Sequence, residues 1–524
     1  MVDIVAATTF GDAWDAAVRG HGDHPFLVYL DPDGTRSEFS YAAFDDRVSR
    51  TGRALAGLGI GPGTVVALQI GNSPEFLSCF LALAKLGAVA VPAGLTAPAA
   101  ELTRLYQACG AEWAIVEAES LDVNSRLKET GVLTGGVLAV HGGGEASLEA
   151  RLAAEPPGPL PAAAVGGDAV AELMFTSGTT AAPKAVMVTH ANLVYSGHYA
   201  VWQASLRGDD RIFTTMPACH SNFQLVALTG AIVAGATLVL CGRYSASRFW
   251  KGVRSERATV LQLTAMMVRT LLVQPPDPAD AQHHVRETLY FMPLSDEDKQ
   301  AFEDRFAVRL MNSYGSTESI CWAVTDPPVG ERRWPSVGRA GLGYEVAIMD
   351  DEGHELPPGT PGEFWIKGVR GRTLMAGYHG DTAATAAALT TDGWLRTNDV
   401  GYVDAEGWFY FTDRARNIIK RAGVNISATE IEAVLETHPG IAEAAVVGVP
   451  DPVRDEAVKA FVRPEAGAEL SSDDVIAHCC DHLAEYKIPQ FIEFVTDFPR
   501  TDSMKIAKRE LYDRSTTIPA PAGQ

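Results

Sequence analysis

One short segment of the 524-residue chain gathers an unusual density of hydrogen-bond donors. Residues 175–190 read FTSGTTAAPKAVMVTH, and before the last apolar stretch they contain one glycine, one lysine and four hydroxyl side chains: Gly178, Lys184, Thr176, Ser177, Thr179 and Thr180. Hydroxyls, unpaired backbone N–H groups and an ammonium are all donors, so together they suit an anion rich in acceptors, most commonly a nucleotide phosphate. A solvated turn rich in serine and threonine has the same composition, and this interpretation stays open at this point.

The residues on either side place this loop between two strands. Upstream, AVAELMFTS (169–177) is a short apolar run typical of a buried strand, and downstream AVMVTH (185–190) is another. The loop is therefore predicted to close a strand-to-strand hairpin. It differs from a Walker loop, which joins a strand to a helix and has another glycine and lysine spacing.

Two further segments carry residue types that suit a nucleotide. In NSYGSTES (312–319), the Tyr314 ring can stack on a base, the Thr317 hydroxyl can contact a phosphate and the Glu318 carboxylate can hold a cation. In TNDVGYVDAEGWFYFTDR (397–414), Asp399 can accept hydrogen bonds from both ribose hydroxyls and Arg414 can add a second anchor. Each segment alone also fits a simpler structure, a polar turn in the first and a β-hairpin in the second.

A lysine near the end of the chain is a further candidate. In FPRTDSMKIAKREL (498–511), Lys505 lies in a predicted loop just before the last helix. A single lysine in such a place is usually a solvated charge. Here Pro499, Arg500 and Thr501 restrict the preceding loop, which favours a lysine presented to a site.

The elements that must position these residues alternate between helix and strand through the first two-thirds of the chain. YAAFDDRVSRTGRALAGLG (41–59) has helical spacing of apolar residues, and TVVALQI (64–70) follows as a strand. This alternation is typical of α/β layers around a largely parallel sheet. The stretch 141–168 is rich in glycine, proline and alanine, and we predict an exposed connector there.

The pattern of predicted secondary structure changes after about Gly338. Short strands and turns predict a small β-subdomain in which VAIMD pairs with EFWIKG, and a compact α/β segment follows FYFTDR. The first helix of that segment, SATEIEAVLETHPG (427–440), opens with a capping box of Ser427 and Glu430. We predict an N-terminal domain over 1–413, a hinge at 414–416, a C-terminal domain over 417–524 and a disordered tail from 515.

The composition of the chain limits the classes of partner and the compartment that we expect for it. The formal charge of −22 argues against nucleic acids and anionic membranes, because either would be repelled. Two apolar windows, 76–95 and 225–242, are interrupted by glycine and read as a buried helix followed by a strand, not as membrane spans. Seven cysteines without a C-x-x-C pair, and an N-terminus without a signal-peptide pattern, indicate free thiols and a cytoplasmic protein.

Taken in order, the four segments resemble the adenylate-forming superfamily of acyl- and aryl-CoA synthetases, luciferases and peptide-synthetase adenylation domains, over nearly the whole chain. Further segments are similar to crotonobetaine/carnitine–CoA ligases: MPACHSNFQ, SASRFWKGVRSERAT, MMVRTLLVQPP, ERRWPSVGRAG and VPDPVRDEAVKAFV. The resemblance implies an ATP-dependent ligase that activates a small carboxylic acid as acyl-AMP, releases pyrophosphate and transfers the acyl group to CoA. It also implies an α/β fold, with a large N-terminal domain of α/β-layered sheets, a small β-subdomain and a small mobile α+β C-terminal domain.

The resemblance gives each nucleotide-facing residue a role. Tyr314 would stack on adenine, Thr317 would contact the α-phosphate and Glu318 would bind Mg²⁺. Asp399 and Arg414 would bind the ribose. The β- and γ-phosphates would be held by Thr176, Ser177, Gly178, Thr179, Thr180 and Lys184.

Four other residues receive roles in the reaction itself. Lys505 would bridge the reacting carboxylate and the α-phosphate, and Arg416 would be the hinge about which the C-terminal domain rotates between the two half-reactions. His220 matches a position that lines the acyl pocket, with a packed or surface histidine as the alternative. Trp322 could wall the substrate pocket and attract a quaternary ammonium, although packing in the core is the commoner role of such a ring.

Departures from the family pattern concern the second half-reaction. Ala422 and Val424 replace a typical glycine and glutamate in a loop that helps to form the thiol tunnel, while Asn398 and Met504 stand where glycine is usual. The alternative function is therefore an adenylating enzyme with a non-CoA acceptor: a diazotase that activates nitrite for reaction with an arylamine, or a carrier-protein-loading ligase. We expect ATP, Mg²⁺ and CoA as ligands and no nucleic-acid or membrane partner, and a homodimer and a carrier protein stay open.

Overall fold

The computed structural model describes residues 8–97, 99–142, 144, 147–160, 163–176, 184–292, 294–414, 417–421, 424–451, 455–483, 487–500 and 505–515. The chain divides into two compact units. The first contains Met1–Ala347, Trp365–Thr397 and Glu406–Phe409, and the second contains Ile348–Phe364, Asn398–Ala405 and Tyr410–Gln524. Arg416 lies outside the described residues, so the hinge and the domain boundary at 414–416 stay predictions.

Helices and strands alternate along the first unit. In chain order, its strands are β1 (Pro25–Leu30), β2 (Arg36–Ser40), β3 (Val65–Gln69), β4 (Val89–Pro92), β5 (Trp113–Glu117), β6 (Val137–Val140), β7 (Val170–Thr176), β8 (Lys184–Thr189), β9 (Arg211–Thr214), β10 (Thr237–Cys241), β11 (Val260–Thr264), β12 (Glu287–Phe291), β13 (Leu310–Tyr314), β14 (Val324–Thr325) and β15 (Arg339–Ala340). Its α-helices are α1 (Phe10–His21), α2 (Tyr41–Ala56), α3 (Pro74–Leu86), α4 (Ala99–Cys109), α5 (Leu121–Glu129), α6 (Leu148–Ala154), α7 (His190–Ala204), α8 (Thr229–Ala234), α9 (Ala246–Ser255), α10 (Ala265–Leu272), α11 (Asp296–Phe306) and α12 (Thr382–Ala388). A short 3₁₀ turn (Ala118–Ser120) and a π-helix (Phe223–Leu228) complete it.

Two sheets organise the first unit. One has nine strands in the order β15-β14-β13-β12-β11-β9-β10-β1-β2, parallel from β13 to β1 and antiparallel at both ends. The other has six strands in the order β6-β5-β3-β4-β7-β8, parallel except for the last pair. The predicted α/β fold class with largely parallel sheets is confirmed.

Helix α3 explains why the apolar window at 76–95 is not a membrane span. Ser73 caps its N-terminus by accepting the Phe76 N–H at 3.2 Å, and Gly87 ends it in the left-handed conformation at a φ of 66°. All its residues except Glu75 are buried, and strand β4 follows, as predicted. The second window, 225–242, likewise contains α8 and β10. Among the described residues, no helix combines the length and the apolar character that crossing a membrane requires.

The stretch 141–168 agrees with its prediction in part. Most of its described residues are exposed or half-buried, as the prediction of an exposed connector requires, but the stretch also contains α6, whose first residue, Leu148, is buried. Upstream of α6, the His141 ring lies between the Glu117 and Glu75 carboxylates, at 2.7 and 3.1 Å. Downstream of α6, the Leu160 side chain is buried as well. The glycines and prolines set the composition, but a few apolar side chains and one ion-paired histidine hold the described part of the stretch in place.

A four-stranded sheet supports the predicted β-subdomain. Its strands are β16 (Glu345–Met349), β17 (Gly362–Lys367), β18 (Trp394–Val403) and β19 (Phe409–Arg414), and they are neighbours in that order. VAIMD and EFWIKG therefore lie on adjacent strands, as predicted. Beta strands β18 and β19 form the predicted hairpin around the Asp-Ala-Glu-Gly turn, where Gly407 has a φ of 81°.

The rest of the second unit is an α+β layer. Its strands are β20 (Ile418–Arg421), β21 (Val424–Ser427), β22 (Ile441–Asp451), β23 (Asp455–Pro464) and β24 (Phe491–Phe494). Its helices are α13 (Ala428–Glu436), α14 (Ser472–His482) and α15 (Lys508–Ser515). Ser427 caps α13 by accepting the Glu430 N–H at 3.2 Å, as predicted from the capping pattern. The disordered tail was predicted from 515, but Ser515 ends α15, and residues 516–524 lie outside the described residues.

The cysteines behave as the sequence indicates. All seven lie in the described part of the chain, and no two of them are joined by a disulfide. Five are buried, and burial raises the pKa of Cys241 to about 12 and that of Cys479 to about 11. These buried thiols are therefore poorly ionised and fill space as small apolar groups.

Candidate active site

The hairpin predicted from the donor-rich segment is confirmed. Strands β7 and β8 pair antiparallel, and Thr176 lies directly opposite Lys184. The loop between them starts and ends at one point of the sheet, as a closed ligand-binding loop requires. The other loop residues predicted to contact phosphate lie outside the described residues: Ser177, Gly178, Thr179 and Thr180.

A second segment runs along the outer side of β8. Residues 375–379 exchange backbone hydrogen bonds with it: the His379 N–H donates to the Ala185 carbonyl at 2.8 Å, and the Met187 N–H donates to the Gly377 carbonyl at 2.8 Å. This pairing carries the Tyr378 ring to Lys184, whose Nζ lies 4.9 Å from the ring centroid. This contact could not be predicted from the sequence, because Lys184 and Tyr378 are almost two hundred residues apart in the chain.

The loop after β13 carries the predicted adenine, phosphate and metal residues. Tyr314 ends β13 opposite Val324, and Gly315 follows it. A Cβ at Gly315 would lie 2.5 Å from the Cys321 carbonyl oxygen, so only glycine allows this close return of the loop. Thr317 and Glu318 then lie half-buried in the turn.

This turn is held in an unusual backbone conformation. Ile320 has a φ of 64°, in the left-handed region that β-branched residues rarely occupy. The turn is braced by the half-buried Tyr344, whose hydroxyl donates to the Ser319 carbonyl at 2.6 Å and to the Thr373 carbonyl at 2.8 Å. The surrounding structure therefore fixes the residues next to Glu318 at some conformational cost, as is common in ligand-binding turns.

The two loops meet at Tyr378. The Tyr378 hydroxyl donates to Oε1 of Glu318 at 3.0 Å, and the Met375 N–H donates to the Glu318 carbonyl at 2.9 Å. Burial raises the pKa of Tyr378, and the Glu318 carboxylate raises it further, so the hydroxyl keeps its proton and acts as the donor. The structure thus brings Lys184 and Glu318, predicted from separate motifs, to one tyrosine side chain, the lysine to its ring and the carboxylate to its hydroxyl.

The candidate acyl-pocket residues lie on two connected segments. The half-buried His220 lies three residues before the π-helix, and its carbonyl accepts the Phe223 N–H at 3.0 Å. Two residues on, Asn222 accepts a hydrogen bond from the Trp322 indole N–H at 3.2 Å. Trp322 is 6% exposed and lies 5.3 Å from the Phe291 ring, so its orientation is fixed by packing and by this hydrogen bond. Asn222 was missed by the sequence reasoning.

The remaining predicted residues belong to the second unit. Asp399 is buried in β18, and the preceding Asn398 has a φ of 56°, with its N–H donating to Oε1 of Glu363 at 2.7 Å. Asparagine tolerates this left-handed conformation better than most residues, which explains how the chain dispenses with the usual glycine. Arg414 ends β19, and Lys505 is exposed just before α15.

Two family profiles match this chain, one over its N-terminal part and one over its C-terminal part. The family profile described as "AMP-binding enzyme" matches residues 14–379, and the profile described as "AMP-binding enzyme C-terminal domain" matches residues 430–505. A crotonobetaine/carnitine–CoA ligase from Salmonella paratyphi A is 41% identical over 518 residues, covering 97% of this chain and 100% of the relative. The corresponding ligase from Salmonella typhi is 40% identical over 519 residues, with the same coverage of 97% and 100%.

Solved structures show the same likeness. A structure of MatB from Rhodopseudomonas palustris with ATP bound is 25% identical and superposes with a TM-score of 0.87 over 97% of this chain and 99% of that one. A benzoate CoA ligase from Burkholderia xenovorans LB400 is 25% identical, with a TM-score of 0.84 over 96% of this chain and 100% of that one.

Proposed function

Because the chain belongs to the AMP-binding enzyme family, we propose that it activates a small carboxylic acid as acyl-AMP and transfers the acyl group to CoA. The observation that carries this proposal is the full-length identity of 41% to ligases of that activity. The Lys184–Tyr378–Glu318 arrangement supports it, because it joins the phosphate-binding hairpin to the adenine loop.

In the first step, a carboxylate oxygen of the acid attacks the α-phosphorus of ATP and the bond to pyrophosphate breaks. The hairpin residues and Lys184 bind the β- and γ-phosphates, while Tyr314 stacks on adenine. Negative charge grows on the α-phosphate and the reacting carboxylate, where Thr317 donates a hydrogen bond and Lys505 supplies a positive charge. Asp399 and Arg414 bind the ribose hydroxyls.

The donor set around Glu318 fits a magnesium ion that arrives with ATP. Within the described ranges, no group of three or more His, Cys, Asp or Glu side chains is placed to hold a metal ion by itself. Magnesium in nucleotide sites takes one or two carboxylates, and substrate phosphates and waters complete its shell. Glu318 would supply that carboxylate, and the ion would neutralise charge on the phosphate oxygens.

Glu318→Gln tests this assignment. The amide is isosteric and keeps an acceptor oxygen for Tyr378, so we expect an unchanged fold. We expect the Mg²⁺ concentration for half-maximal adenylation to rise by about tenfold or more, because the charge that binds the metal is lost. Pyrophosphate release measured against Mg²⁺ concentration gives this number. Glu297→Gln removes an exposed carboxylate from α11 and is the control, with no expected shift. Wild-type activity of Glu318→Gln at sub-saturating Mg²⁺ would contradict the metal role.

In the second step, the CoA thiolate attacks the acyl carbonyl and AMP leaves. Ala422, which replaces a usual glycine of the thiol tunnel, lies outside the described residues, and Val424 begins β21. The full-length relatives support a CoA ligase despite these departures from the family pattern. ATP, CoA and free thiols are all features of the cytoplasm, and we propose that compartment for the enzyme.

The reaction is tested with purified protein, ATP, Mg²⁺ and a panel of small acids that includes neutral, aromatic and betaine carboxylates. We expect one acid class to give AMP and pyrophosphate, and CoA to increase AMP release with formation of the thioester, identified by mass spectrometry. Acid-dependent AMP release without any thioester at millimolar CoA would overturn CoA as the acceptor. Absence of AMP release with every acid in the panel, and with nitrite plus an arylamine, would count against adenylation itself.

A further inference from the structure

Tyr378 occupies a position that the roles of Lys184 and Glu318 do not by themselves explain. Its side chain is 8% exposed, one face of its ring carries the Lys184 ammonium, and its hydroxyl reaches the Glu318 carboxylate. An ammonium and a carboxylate attract each other, so two such groups around one residue could also form a direct ion pair. Among the described residues, no carboxylate pairs with Lys184.

The backbone around Tyr378 is fixed on three sides. Segment 375–379 is bound to β8 on one side and to the Glu318 carbonyl on the other. The Tyr378 N–H donates to the Thr385 hydroxyl at 2.9 Å, and that hydroxyl donates to the Asp381 carbonyl at 2.7 Å. The ring therefore has little freedom to swing away from the space between the lysine and the carboxylate.

A tyrosine in this space has two separate effects. The ring face attracts the ammonium through cation–π interaction and leaves its three N–H donors to a phosphate. The hydroxyl orients the carboxylate while leaving its charge and its remaining lone pairs to a metal. A direct ion pair between Lys184 and Glu318 would instead neutralise both groups before the nucleotide arrives.

We propose that Tyr378 is a positioning residue that holds Lys184 and Glu318 apart and correctly oriented for the phosphates and metal of Mg²⁺–ATP. The inference rests on the proposed function, since it uses the phosphate role of Lys184 and the metal role of Glu318. It predicts that the ring and the hydroxyl act on different ligands, so their contributions can be separated by substitution.

Two variants separate them: Tyr378→Phe keeps the ring and removes the hydroxyl, and Tyr378→Leu removes both. The readout is ATP binding measured by calorimetry without any acid present, so that no turnover occurs, at a series of Mg²⁺ concentrations. For Tyr378→Phe we expect the Mg²⁺ concentration for half-maximal ATP binding to rise about tenfold, with the ATP affinity at saturating Mg²⁺ changed less than about twofold. For Tyr378→Leu we expect the same shift and, in addition, about 3- to 30-fold weaker ATP binding at saturating Mg²⁺.

Tyr344→Phe is the matched control. It removes a hydroxyl that braces the same turn through the Ser319 carbonyl, without touching the Glu318 carboxylate. We expect a lower thermal unfolding midpoint and no shift in the Mg²⁺ dependence. An equal shift in Tyr344→Phe and Tyr378→Phe would mean that any loosening of the turn has this effect, and the proposal would be overturned. It would also be overturned if Tyr378→Phe and Tyr378→Leu gave identical ATP affinities.

Combining Tyr378→Phe with Glu318→Gln shows whether the hydroxyl acts through the carboxylate. Coupled residues give non-additive effects. Adding Tyr378→Phe to a protein that already carries Glu318→Gln should therefore shift the Mg²⁺ dependence by less than about twofold further. A full additional tenfold shift would overturn the proposal. If Glu318→Gln alone leaves the Mg²⁺ dependence unchanged, the metal role of Glu318 in the proposed function is wrong. If it changes the dependence and Tyr378→Phe does not, the failure belongs to Tyr378 alone.

Discussion

Replacing Lys505 by alanine is expected to slow acyl-adenylate formation by about 10²–10³-fold or more, because the positive charge beside the α-phosphate and the attacking carboxylate is lost. Transfer of the acyl group from supplied acyl-AMP to CoA should be nearly unchanged, since the role proposed for Lys505 belongs to the first step alone. Lys505 is exposed immediately before α15, so the substitution removes no buried packing and the fold should be retained.

The two half-reactions are measured separately. Pyrophosphate release reports the first step, and thioester formation from chemically prepared acyl-AMP reports the second. Lys508→Ala is a control three positions along the chain, since the Lys508 ammonium pairs with the Glu432 carboxylate at 2.6 Å within the second unit. We expect this control to keep both steps. Adenylate formation at the wild-type rate in Lys505→Ala would remove Lys505 from the mechanism, and equal losses in both steps would indicate damage to the fold.

The hairpin between β7 and β8 shows what the sequence could predict. Two short apolar runs separated by a loop without helical periodicity predicted both strands and the hairpin between them. The register, with Thr176 opposite Lys184, is known only from the structure. Helix α3 was predictable for a similar reason, because Ser73, Pro74 and Gly87 mark its ends. In both cases, the residues that predict the element lie within the element itself or directly beside it in the sequence.

The contact between Tyr378 and Lys184 could not be predicted from local sequence patterns of this kind. The contact with Lys184 exists because segment 375–379 pairs with β8, which is almost two hundred residues earlier in the chain. No local periodicity encodes a partner at that separation. In the stretch 141–168, composition predicted the exposure of most described residues, but it could not predict the burial of Leu148 and Leu160, because that burial depends on surfaces formed by distant elements.

Glu172 is the residue in which the predicted strand departs most from an apolar pattern, and it leads to the second large effect. It lies in the middle of β7 opposite Val188, it is 0% exposed, and among the described residues neither of its carboxylate oxygens has a hydrogen-bond partner. Burial raises the pKa of Glu172 to about 8, and the nearby Gln224 amide lowers it only in part. The side chain is therefore largely protonated at neutral pH, unlike a glutamate in an unfolded chain.

The sign of the resulting pH dependence follows from proton linkage. Between the ordinary pKa of a glutamate, near 4.5, and the folded pKa, about 8, the folded state holds a proton that the unfolded state has lost. The contribution of Glu172 to the free energy of unfolding is thus fully present below the lower value, and it is lost as pH rises from there through the folded pKa, by about 5 kcal/mol in total. Glu172→Gln cannot ionise, so this loss should be absent from the variant.

We therefore expect Glu172→Gln to raise the thermal unfolding midpoint of the first unit by several degrees at pH 8 and to leave it nearly unchanged at pH 4.5. The difference between variant and wild type, measured by calorimetry across this range, cancels the other groups that titrate in both proteins. Glu256→Gln is the matched control, because the Glu256 carboxylate is similarly buried but pairs with Arg36 at 3.0 Å and Arg211 at 2.9 Å. Removing that charge leaves two arginines without this partner and should lower the midpoint at pH 8. A Glu172→Gln midpoint that follows the wild-type value at every pH would show that the carboxyl is hydrated or paired in solution, and that its burial in β7 has no energetic cost.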